Sequence, residues 1–172
     1  FAAGAATSLA LALLVGGRVF QAMKQSLGAG EWVRRGLGVA VWASVAAIDV
    51  DERGLDSTAH AVRRGGGQIA ARVADVSDRV GLASAIESLA GELGRLHGVF
   101  ANAAVLPPPL PVDALDWQQW DRVLSVNLSG AVLTLVSSLA HVVDGGSLLV
   151  SGSSMAIRPR EHRLAYVAAK AG

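Results

Sequence analysis

From about residue 39 onward, short apolar runs alternate with stretches of helical period, and glycines punctuate the turns between them. That alternation constrains the fold more than any other feature, because strand, helix and strand in succession demand a parallel sheet covered on both faces. Val39 to Ile48 is a continuous apolar run closed by Asp49, the pattern of a buried strand. Asp56 to Arg64 has the period of a short helix, stopped by Gly65, Gly66 and Gly67. Gln68 to Ala74 reads as the next strand. Ser77 is the expected N-cap of a helix with apolar positions Val80, Ala83, Ile86, Leu89 and Ala90 that closes near Gly94. Val99 to Ala101 is a short buried strand, and Pro107 to Pro111 an exposed loop. A helical pattern runs from Trp117 to Val143 and ends at Gly145 and Gly146. Ser147 to Ser151 is another strand, and a helix begins at Leu164. The expected fold class is α/β: a three-layer, doubly wound, mostly parallel sheet with helices on both faces.

Length and charge narrow the function classes. The 172 residues suit a single domain with a real core. A formal charge of +1 offers no argument for nucleic acid as a partner. The absence of cysteine excludes disulfides and thiolate zinc sites, and no metal site is expected. The apolar run Leu9 to Val15 is too short to span a bilayer and lacks the basic flank of a signal peptide. No membrane association is therefore expected, and a cytoplasmic location is. Residues 1–38 differ from the rest, with an alanine-rich segment followed by a glycine-dotted stretch and no strand-turn-helix order.

Several polar residues stand where chemistry could be done. Tyr166 and Lys170 are four apart, so a helix puts both on one face. A free phenol, with a pKa of about 10, is a poor base at neutral pH, and a nearby ammonium favours its ionised form. The same pair could equally decorate an amphipathic helix. Ser153 lies thirteen residues before Tyr166, just after a strand. In an open α/β sheet, ligands bind outside the carboxyl ends of the strands, where a hydroxyl can hold a substrate oxygen. A turn serine is the competing reading, and Ser154 is a rival for the role. Asn127 sits inside an otherwise apolar helix and needs partners there. It could hold a water that links Lys170 to solvent, or be a satisfied core amide.

On the other side, Asp49 ends its strand where the ribose of an adenine dinucleotide is read. A carboxylate there accepts hydrogen bonds from the ribose 2′ and 3′ hydroxyls and repels a 2′-phosphate, and Asp51 and Glu52 add to that repulsion. NAD is thus favoured over NADP. Asp75, followed by Val76, ends the next strand and is placed to contact the adenine amino group. For either aspartate, a cap or turn role competes.

Taken together, Asp49, Asp75, Ala101-Asn102-Ala103-Ala104, Asn127, Ser153, Tyr166 and Lys170 occur in an order and spacing that resembles the short-chain dehydrogenase/reductase family, over roughly residues 39–172. The resemblance implies a Rossmann-like sheet and an NAD-dependent oxidoreductase acting on a small alcohol or carbonyl compound. Asn102 and Ala103 would support the cofactor in place of the family's Asn-Asn-Ala-Gly motif. Tyr166 would act as general acid in reduction and base in oxidation. Lys170 would lower the pKa of Tyr166 and bind the nicotinamide ribose, Ser153 would hold the substrate oxygen, and Asn127 would anchor a proton-relay water. A homodimer or homotetramer is implied for the intact protein.

The sequence departs from the family at both ends. The glycine turn that holds the pyrophosphate is not reproduced. The better register uses Leu27-Gly28-Ala29-Gly30, which leaves 21 residues from Gly28 to Asp49, but Trp32 and Arg34 replace later glycines. Starting instead at Gly4 leaves 45, more than one turn and helix require. The resemblance also implies further strands and a substrate-covering region beyond Gly172, so the chain as given is expected to be truncated at the C-terminus and to turn over poorly. A non-catalytic nucleotide-binding or regulatory relative is the alternative. Another doubly wound enzyme, such as a methyltransferase, would leave the Tyr-Lys pair idle.

Overall fold

The structure is a computed structural model that describes residues 44–172. The expected start of the first strand at Val39, and the expected phosphate-binding glycines Gly28 and Gly30, lie outside the described residues.

The chain opens with β1 (Ser44–Asp49), α1 (Glu52–Arg64) and β2 (Gln68–Val73). The two strands are parallel, with Val45 opposite Ile69 and Ala47 opposite Ala71. Strand alternation sends these four to one face, where Leu55, Ala59 and Val62 of α1 cover them. Burial of a side chain such as Leu55 is worth roughly 1.5–3 kcal/mol. Arg72, on the opposite face, reaches Ser88 and Glu92 of α2 (Arg79–Leu93). Thus α1 and α2 lie on opposite faces of one parallel ribbon, which is the doubly wound arrangement. Helix α1 starts four residues earlier than Asp56, directly after Asp51.

A second parallel ribbon joins β3 (Leu96–Ala101) to β4 (Val142–Val150). Between them runs a composite helix: α3 (Trp117–Leu124), a π turn (Ser125–Ser129), α4 (Gly130–Ser138) and a 3-10 turn (Leu139–His141). Asp116 caps α3, accepting from the N–H of Gln118 at 2.9 Å and of Gln119 at 3.3 Å. The span Trp117–His141 is long and apolar enough, by length and composition, to cross a membrane. In the fold, however, α4 packs on α2 and β3, and α3 packs on the last helix, α5 (Leu164–Ala171).

Two expectations are corrected here. The helix from Trp117 to Val143 is interrupted by the π turn and ends at His141. Gly145 and Gly146 then lie inside β4 rather than ending a helix: Leu96 pairs with Val142 but Gly98 pairs with Ser147, so the strand bulges between them. Gly145 takes φ +79° in that bulge, which favours a residue without Cβ.

Candidate active site

Helix α5 carries Tyr166 and Lys170, and it packs on α3, on the π turn and on the 3-10 turn Ser154–Ala156. Those contacts bring the elements that hold Asn127, Ser153, Tyr166 and Lys170 together. Tyr166 is half-buried against a small apolar cluster of Val123, Ala165 and Ala169. Ser153 caps the 3-10 turn, its Oγ accepting from the Met155 N–H at 3.2 Å. Its hydroxyl proton stays free to donate. Ser153 is half-buried whereas its rival Ser154 is exposed.

Lys170 Nζ donates to the Ser151 carbonyl at 2.8 Å. Ser151 in turn continues the β3–β4 ladder, donating to the Ala101 carbonyl at 3.0 Å. The ammonium is thereby tied to the end of β4, and its partial burial pushes its pKa below the ordinary lysine value. Asn127 lies in the π turn, 3% exposed. Its Oδ1 accepts from the Val105 N–H at 2.7 Å and its Nδ2 donates to the Val105 carbonyl at 2.9 Å. The amide therefore clamps the loop after β3 through both backbone groups of Val105.

On the cofactor side, Asp49 closes β1, and its Oδ1 accepts from the Asp51 N–H at 3.0 Å. Its Oδ2 has no hydrogen-bond partner among the described residues. Asp75 follows β2 and is more engaged than the sequence suggests. Its Oδ1 takes both the N–H and hydroxyl of Ser77, at 2.9 and 2.6 Å, and its Oδ2 takes Arg122 of α3 at 2.9 Å. The Ser77 hydroxyl, followed by its N–H and by Arg122, outweighs desolvation and holds this carboxyl below its usual range. Since Ser77 is used in this way, the cap of α2 is Asp78, whose carboxylate accepts from Val80 and Gly81. Val76 is half-buried beside α4. Asn102 and Ala103 follow the end of β3, the first half-buried and the second exposed.

Comparison with known proteins gives the family and the fold. Residues 40–172 match the family profile described as enoyl-(acyl carrier protein) reductase. The chain is 34% identical over 132 residues to cis-4-hydroxycyclohexanecarboxylate dehydrogenase of Sinomonas cyclohexanicum, an alignment covering 76% of this chain and 53% of that one. It is 30% identical over 134 residues to D-threitol dehydrogenase of Mycolicibacterium smegmatis, covering 76% and 50%. Among solved structures, carveol dehydrogenase from Mycobacterium avium in complex with NAD superposes with a TM-score of 0.72 at 28% identity, covering 76% of this chain and 52% of that one. Levodione reductase gives the same four values. The chain belongs to the short-chain dehydrogenase/reductase family.

This short-chain dehydrogenase/reductase spans about half the length of the relatives it matches. Its Rossmann fold is the one that the strand-helix alternation predicts. Two features of the site escape sequence reasoning. One is the Ser77–Asp75–Arg122 network, which joins the end of β2 to α3. The other is Gly130, where a Cβ would come within 2.7 Å of Val76 Cγ2. A glycine in the middle of an apolar helix is the signal that could have revealed this close approach.

Proposed function

We propose that this chain is the dinucleotide-binding and catalytic part of an NAD-dependent oxidoreductase that moves hydride between nicotinamide and a small alcohol or carbonyl substrate. The observation that carries the reading is the packing of α5 on the Ser153 turn and on the π turn of Asn127, with Lys170 one helical turn from Tyr166. It is supported by relatives named as dehydrogenases and reductases, and by a solved neighbour that holds NAD.

The residues present fit the cofactor. Asp49 offers a carboxylate oxygen with no partner among the described residues, at the end of a parallel strand, where ribose hydroxyls would be its donors. Asp51 and Glu52 add negative charge beside it and disfavour a 2′-phosphate. When bound, nicotinamide supplies or accepts the hydride. Ser153 holds the substrate oxygen through its free hydroxyl proton and stabilises the charge that develops there. Tyr166 gives that oxygen a proton in reduction and takes it back in oxidation. The Lys170 ammonium stabilises negative charge on the phenol oxygen. Asn127 keeps the π turn and the Val105 loop in place beside α5. A second copy of the chain covers the exposed stripe of Val132 and Val136 on α4 and Leu139 at the start of the 3-10 turn that follows, whose i, i+4, i+7 spacing makes one apolar face.

Titration with NADH and then NADPH, followed by tryptophan quenching and nicotinamide emission, tests the cofactor assignment. Saturable binding is expected for NADH, weaker binding for NADPH, and a loss of about tenfold or more in NADH affinity for Asp49→Ala, as for removal of hydrogen bonds to a charged group. A folded chain that binds neither cofactor would refute the proposal and leave a non-catalytic relative.

A further inference from the structure

Among the described residues, His162 is the one non-glycine with a positive φ, +60°. The left-handed region costs such a residue roughly 1–2 kcal/mol, so surrounding contacts must hold it there. Two contacts do so. The His162 carbonyl accepts from the Leu110 N–H at 3.0 Å, and the Arg163 guanidinium donates to the Pro107 carbonyl. Both bonds cross from the segment that enters α5 to the proline loop, more than fifty residues away in sequence. A peptide flip at His162 would turn its carbonyl away and leave the Leu110 N–H without an acceptor.

The other end of the same loop is also fixed, by the Asn127 amide on both backbone groups of Val105. The two strapped segments form facing walls of one cleft, with Pro107, Leu110 and Leu115 on one side and His162 and Tyr166 on the other. Arg163 is half-buried, and its side-chain hydrogen bond goes to the Pro107 carbonyl rather than to a group assigned to chemistry, whereas the nearby Arg160 is exposed and makes no side-chain hydrogen bond among the described residues.

We propose that Arg163 and His162 are positioning residues, which strap the proline loop to the entry of α5 and so fix the cleft wall relative to the Tyr166 hydroxyl. The inference deepens, and rests on, the reading of Tyr166 as the proton-transferring group. Arg163 suits the task because its long planar guanidinium reaches a carbonyl across the cleft while its stem stays packed. Without the strap, the loop between Val105 and the cap of α3 would be held at its ends alone, and the cleft would lose a defined width.

The test uses the whole chain and two readouts that need no cofactor. Hydrogen exchange at the Leu110 amide reports the strap. Acetylation by N-acetylimidazole reports the placement of Tyr166, which is the only tyrosine in the sequence. Arg163→Met is expected to speed Leu110 exchange by about tenfold, as for loss of a cooperating hydrogen bond, and to change the acetylation rate severalfold. Arg163→Lys, which keeps a donor, is expected to restore both, and Arg160→Met to alter neither. His162→Gly is expected to stabilise the fold while leaving Leu110 exchange slow, because it removes strain and keeps the strap. Unchanged exchange and acetylation in a folded Arg163→Met chain would overturn the proposal. So would equal changes in Arg160→Met, a failure of Lys to restore, or a His162→Gly chain that is less stable than the parent. Since neither readout involves NADH, failure of the strap and failure of the oxidoreductase reading are seen separately.

Discussion

Asn127, a candidate for the proton relay in sequence, also holds structure in space through both backbone groups of Val105. The polar residue within an apolar helix is visible in the sequence, but its partner is backbone 22 residues away, which no local pattern reveals. Truncating it leaves the Val105 N–H and carbonyl unpaired. Asn127→Ala is therefore expected to cost about 1–3 kcal/mol, read as a lower urea midpoint. Asp75 supplies a pH-dependent prediction. Its folded pKa lies below the ordinary aspartate value of 3.8, so its contribution is present above 3.8 and is lost as the pH falls through the folded value. Asp75 and Arg122 are well solvated, which limits that contribution to about 1 kcal/mol. Asp75→Asn should flatten the acid limb of a urea-midpoint profile against pH. Lys170 has the same sense in the alkaline range, from a different cause: burial disfavours its ammonium, so the stability lost below its folded pKa returns as the pH rises toward 10.5. Its hydrogen bond to Ser151 holds it in place despite that cost.

At the scale of elements, the start of β2 and the helix stops at Gly65 and Gly94 are the legible part, whereas Gly145 and Gly146 belong to a strand. β2 begins at Gln68 as periodicity predicts, α2 closes at Gly94, and α5 begins at Leu164. Periodicity fails where tertiary contacts decide. Asp75-Val76-Ser77-Asp78 offers adjacent capping residues, and the choice of Asp78 follows from Ser77 being drawn to Asp75. The π turn at Asn127 is invisible to a hydrophobic pattern because its flanking residues stay apolar. Val142 and Val143 extend a helical pattern in composition, yet Val142 pairs with Leu96 as the start of a strand. The register between these elements depends on Gly130. Adding a methyl there would drive α4 from the Val76 loop, so Gly130→Ala is expected to cost roughly 1–3 kcal/mol despite the better helix propensity of alanine. The double variant with Val76→Ala should recover much of that loss in thermal unfolding, and a neutral Gly130→Ala would show that α4 and the loop are not in contact.

Across the whole molecule, two parallel ribbons, a composite helix and α5 surround the site proposed for hydride transfer. The apolar stripe on α4 predicts self-association. Val136→Glu is expected to shift the sedimentation coefficient toward that of a single chain, and an unchanged value would remove the stripe from the account. The reaction itself is tested most directly by isotope transfer, which registers even slow turnover. The chain is incubated with NADH deuterated at nicotinamide C4 and a panel of small cyclic and acyclic ketones, and the product alcohols are analysed by mass spectrometry. The account predicts deuterium on the carbinol carbon of at least one product, and a fall of about 10²- to 10⁴-fold in its rate of appearance for Tyr166→Phe. Deuterated alcohol that forms equally fast in Tyr166→Phe, or none at all from a folded chain that binds NADH, would contradict it.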